Sequence, residues 1–183
     1  VTFAYILSRL SSVKHIFTNN FNRYEKIFLT VFFAVLSILG TFLGIIIMDA
    51  YANIRAIGAL MAGLLGGPAV GISVGLIAGL HRFFLGGFTA LACAVGTTTT
   101  GLIGGLYHKK YRSNEINFKN GFLIGAAALT IEMIIVVIFS RPLGQAVELV
   151  KIIAIPMILS NSLGISIFIS ILRSICFMRV LNH

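Results

Sequence analysis

"RAIGALMAGLLGGPAVGISVGLIAGLHR", residues 55 to 82, decides how this chain folds. The stretch is apolar between two arginines and is interrupted near its middle by Gly66-Gly67-Pro68. At a rise of ~1.5 Å per residue, a helix over 55–66 covers about 18 Å, well short of a hydrocarbon core of roughly 30 Å. Two ordinary spans are excluded, and the stretch is predicted as a short helical hairpin. Pro68 can start the second arm because its missing N–H would be unpaired there in any case. Gly58, Ala62, Gly63, Ala69, Gly71, Gly75, Ala78 and Gly79 recur at helical spacing, and small residues of this kind let helix backbones approach closely in lipid.

Outside the hairpin the chain is just as apolar. Its 183 residues are 58% hydrophobic and 10% charged, with a mean hydropathy of +1.02. That leaves too little polar surface to coat a soluble globule, so the chain is read as an integral membrane protein in contact with membrane lipids. The formal charge of +9 lies in loops. Arg9, Lys14, Arg23 and Lys26 flank the first hydrophilic connection, Lys109, Lys110, Arg112 and Lys119 fill the second, and Arg173 and Arg179 lie near the end. This is the positive-inside pattern of cytoplasmic segments, and nucleic acid has no place as a partner. Cys93 and Cys176 sit far apart in apolar surroundings, so neither a disulfide framework nor a CxxC metal site is indicated. "VTFAYIL" opens in mid-hydrophobic segment without a charged leader, so no signal peptide is read and the chain is taken to start inside its first helix.

The fold class expected is an all-α membrane protein of six to seven transmembrane helices, a single domain over 1–183 without soluble output domains. Its segments run over 1–17, 26–48, 55–66, 69–84, 88–107, 120–140 and 149–178. Strands are disfavoured because a transmembrane sheet alternates apolar and polar residues, whereas "FLTVFFAVLSILGTFLGIII", residues 28 to 47, is apolar on every face. With the loop at 14–26 cytoplasmic, alternation puts residues 49–53 outside, the Gly-Gly-Pro turn inside and Gly86-Gly87 outside. The basic loop 108–119 then falls inside, "SRPLGQAVE" at 140–148 outside, and the C-terminus in the cytoplasm of a plasma-membrane protein.

Arg55 opens the first arm of the hairpin and Arg82 closes the second, so both return to one side of the membrane. One reading lets both side chains snorkel to lipid phosphates. The other has them facing one cavity, where two planar guanidinium groups suit bidentate contact with a carboxylate or phosphate. Asp49, Glu148 and Glu132 are the internal carboxylates able to neutralise one of them. Cys93, Gly96 and the run Thr97–Thr100 follow in the next helix. Their alternatives are a small apolar filler for the cysteine and hydroxyls bonded back to the helix carbonyls for the threonines. Asn53 caps the helix carrying Arg55 or joins its site, and Asn161, Ser162 and a kink at Pro156 re-satisfy opened backbone groups. No catalytic constellation is present: HExxH and GxxxxGK[ST] are missing, and His15, His81, His108 and His183 lack metal-ligand spacing. "GISVG" at 71–75 has the letters of a nucleophile elbow without the strand before it. No cofactor is implied.

"NIRAIGALMAGLLGGPAVGISVGLIAGLHRFFLGGFTALAC", residues 53 to 93, with "AIPMILSNSLGISIFIS" at 154–170, resembles the membrane sensor region of the LytS family of bacterial sensor kinases, the five-transmembrane LYT receptor domain. Asn-x-Arg, Gly-Gly-Pro, His-Arg, Gly-Gly and the late Asn-Ser-x-Gly carry the likeness over nearly the whole chain. The resemblance implies an input domain followed, in full-length relatives, by a GAF domain and a histidine kinase that acts as a dimer on a LytTR-type response regulator. It implies either a small carboxylate ligand such as pyruvate or a link to autolysis of the cell wall. It points to Arg55, Arg82 and Cys93 as ligand-binding residues and to a hydroxyl one turn after the cysteine. Here Gly96 stands at that place, with Thr97 beside it as the substitute. The fold is also similar to the six-helix substrate-binding components of energy-coupling-factor transporters.

The function expected is therefore the input domain of a sensor histidine kinase, not itself an enzyme, sensing a small anionic ligand from the outer side. The ligand-binding candidates are Arg55, Arg82, Cys93, Thr97 and Asn53. The alternatives are a transporter's substrate-binding subunit for a small anionic solute and a structural membrane partner.

Overall fold

The computed structural model describes residues 22–48, 50–111 and 117–181. The predicted segment 1–17, Asp49 and residues 112–116 of the basic loop lie outside the described residues. The elements, in chain order, are α1 (Arg23–Phe42), β1 (Ile45–Ile47), β2 (Ala50–Ala52), α2 (Arg55–Gly66), α3 (Pro68–Phe84), α4 (Ala90–Lys110), α5 (Phe118–Phe139) and α6 (Leu143–Leu181). Helices α1, α4 and α5 and the part Leu143–Ser174 of α6 are long and apolar enough to cross a membrane, while α2 and α3 are shorter apolar helices.

Local chemistry sets the helix starts. Asn22 and Glu25 form a capping box on α1, with the Glu25 carboxylate accepting from the Asn22 N–H at 2.8 Å. Asn117 caps α5 by accepting from the Asn120 N–H at 2.9 Å. Between α2 and α3 the chain turns on Gly67, whose φ of 84° suits glycine, and Pro68 stands in the first turn of α3. The short hairpin expected from the sequence is thus the α2–α3 pair.

Helix α2 is the centre of the molecule: every residue in it except Ile57 is buried, and it touches all the other helices. Leu60, Met61, Leu64 and Leu65 of α2 form a core with Leu29 and Phe33 of α1, Val70 and Val74 of α3, Ala128 of α5, and Ile165, Ile169 and Leu172 of α6. The widest contact is between α3 and α4, and it depends on glycines. A β-carbon on Gly71 would overlap the Gly101 carbonyl and approach Gly63 Cα to 2.7 Å, and one on Gly75 would approach Thr98 Cα to 2.6 Å. Outward, Val31, Val35, Leu39, Leu123, Ile138, Ile155 and Ile167 are exposed. Side chains of this kind are at home against lipid tails, which leaves close backbone packing to hold the helices together.

Two boundaries differ from expectation by six residues, the others by three or fewer. The second predicted segment ends at Phe42 instead of residue 48, and Ile45–Ile47 pairs antiparallel with Ala50–Ala52, Ile46 opposite Tyr51. The continuous apolar run hid this strand. Three consecutive β-branched isoleucines after Gly44 favour extended backbone, and Met48 takes a positive φ of 51° where the chain reverses. The strand expectation holds for the spans and fails for this short hairpin. The last helix starts at Leu143, six residues before the predicted 149, and its helical assignment runs unbroken through Pro156.

Replacing Gly71 or Gly101 by Ala is expected to cost about 1–3 kcal/mol through overpacking. The readout is a fall of several degrees in the thermal unfolding midpoint of the detergent-solubilised protein. Gly144→Ala, where an added β-carbon meets nothing within 4 Å, should leave the midpoint unchanged or slightly raised.

Candidate functional site

Where α2, α4, α5 and α6 meet, a partly open cavity of about 20 Å³ is lined by Arg55, Thr89, Cys93, Glu132, Met133, Val136, Leu149, Ile153 and Met157. That volume admits roughly one or two water-sized particles. Leu149, Ile153 and Met157 lie four residues apart on one face of α6, and together with Met133 of α5 they make the apolar wall. Ile47 of the β-hairpin and Phe88 of the α3–α4 connection pack on this wall and cover it.

Arg55, the first residue of α2, is 1% exposed. Its Nε donates to Thr97 Oγ1 at 2.7 Å, and its Nη2 lies 3.7 Å from Glu132 Oε1. Its Nη1 is buried with no hydrogen-bond partner among the described residues. A guanidinium in such surroundings must have a counter-charge, because the desolvation penalty for an unpaired buried ion is several kcal/mol. Glu132 supplies it. The second oxygen of Glu132 lies 3.3 Å from Thr100 Oγ1, whose single proton it shares with the Gly96 carbonyl. At 3.7 Å the charged groups attract each other, yet the distance is beyond that of a hydrogen bond, so the pair is loose.

Helix α4 positions the polar side of the cavity. Its threonines bond back to the helix, Thr97 Oγ1 to the Cys93 carbonyl at 2.8 Å and Thr100 Oγ1 to the Gly96 carbonyl at 2.9 Å. Donating there, Thr97 turns a lone pair toward Arg55 Nε, and the back-bonding reading and the site reading of Thr97 coincide. Cys93 is buried on the cavity wall.

Arg82 is fully buried in the last turn of α3. Its Nη1 donates to the Gly86 carbonyl and its Nη2 to Thr89 Oγ1 at 3.1 Å. Gly86 and Gly87, with φ of 74° and 88°, take the chain through a left-handed turn that Arg82 straps down. Arg82 is absent from the cavity lining and reaches the cavity through Thr89. The structure therefore brings Arg55, Cys93 and Thr97 together and sets Arg82 one hydrogen bond behind them.

Asn53 lies beneath the start of α2: its Oδ1 accepts from the Arg55 N–H at 3.2 Å, and its carbonyl accepts from Asn161 Nδ2 of α6 at 3.3 Å. The cap position itself is Ile54, so Asn53 acts one residue earlier than an N-cap. Ser37 of α1 donates to the Arg55 carbonyl at 3.1 Å. Among the described residues no three His, Cys, Asp or Glu side chains gather as a metal site.

Sequence reasoning named Glu132 only as one of three carboxylates and missed Thr89 and the wall residues of α5 and α6. Thr89 lies across the Gly86-Gly87 turn from Arg82, just before α4, and the i, i+4, i+8 spacing of Leu149, Ile153 and Met157 was a readable signal. Which face of α6 met the cavity was not.

The family model described as 5TMR of 5TMR-LYT matches residues 11–175. The sensor histidine kinase BtsS of Escherichia coli K12 is 43% identical over 155 residues, covering 81% of this chain and 27% of that protein. Sensor protein LytS of Bacillus subtilis 168 is 44% identical over 128 residues, 68% of this chain and 21% of that protein. Sensor protein LytS of Staphylococcus epidermidis RP62A is 32% identical over 192 residues, 95% of this chain and 32% of that protein. The chain thus spans a third or less of the length of these relatives. No solved structure matches it. Because the matched region takes in every element of the bundle that forms the cavity, the chain belongs to the LytS-type five-transmembrane sensor family.

Proposed function

We propose that this chain is the membrane input domain of a sensor histidine kinase and that it binds a small carboxylate, of about the size of pyruvate, in the cavity beside Arg55. One observation carries the reading: a buried guanidinium on the cavity wall has an Nη1 without a hydrogen-bond partner among the described residues, and a carboxylate is the group that such a fork accepts best. Thr89 and Cys93 flank it as secondary contacts. The kinase belongs to the rest of the protein and acts on a separate response regulator of the LytTR type, and a homodimer brings two such kinases together.

In this reading the ligand arrives from the outer side, past Ile47 and Phe88. The present cavity is too small for a three-carbon acid, so entry moves these two side chains and the Gly86-Gly87 turn. Arg82 then acts through the turn that it straps, and Thr89 reports the change to the cavity. The route to the output runs through the peptide 53–55. A pull on Arg55 is felt at Asn53, whose carbonyl holds Asn161 of α6, and α6 is the helix that continues toward the C-terminus. Only a ligand that binds the two arrangements with different affinity can drive this shift.

The direct test is calorimetric titration of pyruvate and related carboxylates. Single loss of Arg55 would strand a buried carboxylate at a cost of about 3–5 kcal/mol, so the informative protein is the double variant Arg55→Gln/Glu132→Gln, which keeps the site neutral. It is expected to fold and to lose carboxylate binding by at least about tenfold, in line with the ~1.5–3 kcal/mol of one hydrogen bond to a charged group. Undiminished affinity in that variant would remove the site. In the full-length receptor, Asn161→Ala is expected to keep ligand affinity within about threefold, a loss below ~1 kcal/mol, while abolishing ligand-dependent autophosphorylation. A response equal to that of the unmodified receptor would place the coupling elsewhere.

A further inference from the structure

Thr89 stands at the N-cap position of α4 and makes no cap: its side chain accepts from none of the helix's first backbone N–H groups. Threonine in that position ordinarily satisfies one of them, and forgoing the bond weakens the helix start. Thr89 is nevertheless 1% exposed, so its hydroxyl has to find its partners inside the protein.

One partner is Arg82, whose Nη2 lies 3.1 Å from Thr89 Oγ1. A guanidinium only donates, so the hydroxyl oxygen accepts in this bond and the hydroxyl hydrogen is left for another acceptor. Among the described residues no carbonyl, carboxylate or hydroxyl takes it. Thr89 lies on the cavity lining with Arg55 and Cys93, and the cysteine sulfur is only a weak acceptor. The cavity thus offers two donors to a guest, the Thr89 hydroxyl and Arg55 Nη1, which has no hydrogen-bond partner among the described residues.

A carboxylate suits the guanidinium. The hydroxyl has nothing to bind on an alkyl acid, and it is matched by an oxygen on the carbon next to the carboxylate. Resting on the carboxylate-binding reading above, we propose that Thr89 is the specificity-determining residue of this site: its hydroxyl donates to the C2 oxygen of a 2-oxo acid whose carboxylate is held by Arg55. Arg82, by donating to the Thr89 oxygen, fixes which way that hydroxyl turns. The rest of the acid meets the apolar wall of Met133, Leu149, Ile153 and Met157, of which the two unbranched methionines adapt readily to an occupant's shape.

The test compares pyruvate with propionate, which lacks the C2 oxygen, by calorimetric titration of the receptor in nanodiscs. The unmodified protein is expected to bind pyruvate at least about tenfold more tightly, the difference made by one hydrogen bond to an otherwise unsatisfied buried oxygen. Thr89→Val, which keeps the shape and removes the hydroxyl, is expected to bring the two affinities within about threefold of each other by weakening pyruvate alone, while Thr89→Ser keeps the preference. A residue that only tied down the Gly86-Gly87 turn would weaken both acids alike. A ratio unmoved by Thr89→Val, or equal affinities in the unmodified protein, therefore overturns the assignment of Thr89 and leaves the carboxylate site standing. If Thr89→Val fails to fold, infrared spectra of the unmodified receptor with pyruvate isotopically labelled at C2 decide: the C2 carbonyl band is expected at lower frequency than in an aprotic solvent, and an unshifted band overturns the assignment. Absence of binding by both acids overturns the carboxylate site as well.

Discussion

A guanidinium and a carboxylate 3.7 Å apart, each almost wholly buried, impose conditions on everything around them. An isolated charge in this position would cost several kcal/mol, a large share of the stability of an ordinary domain, so the two residues must be brought together by the fold and held there. Arg55 is fixed because it opens the central helix α2, tied through its main chain to Asn53 and Ser37. Glu132 is fixed because α5 packs on α4 where Gly96 leaves room for its side chain. The pair unites α2, α4 and α5, with Thr97 and Thr100 as the bridging hydroxyls.

The rest of the architecture serves that placement. In lipid the apolar effect does little to press helices together, and close backbone contact through Gly63, Gly71 and Gly101 does most of it. A hairpin whose arms are too short to span can then sit inside the bundle, with Arg55 at one end of it and Arg82 at the same level. The β-hairpin and the Gly86-Gly87 turn close the cavity above, and Arg82 is engaged with that turn. Thr89, which bonds to Arg82 and lines the cavity, stands between that turn and the ion pair.

Much of this was legible in the sequence because membrane folds announce themselves by length and composition. The short α2–α3 hairpin followed from the count of residues between Arg55, Pro68 and Arg82, and the small-residue spacing foretold its close packing. The strand at Ile45–Ile47 was not legible, since a continuous apolar run has no period to separate extended from helical backbone. The choice of Glu132 over Asp49 and Glu148 was hidden for another reason: an ion pair across 77 residues depends on the rotation of α5, which its nearly uniform apolarity does not encode. The different surroundings of the two arginines, one on the cavity and one on the loop, arise from the turn geometry at Gly86 and Gly87.

The central claim is that a ligand's carboxylate replaces empty space beside Arg55 and thereby shifts the cover and α6. An experimental structure of the receptor saturated with its tightest-binding small carboxylate tests it most directly. The account predicts density within hydrogen-bond reach of Arg55 Nη1, walled by Cys93, Thr89 and Met157, with Phe88 displaced from the wall. Density at any other place, with the Arg55–Glu132 distance and the cavity unchanged, would contradict it.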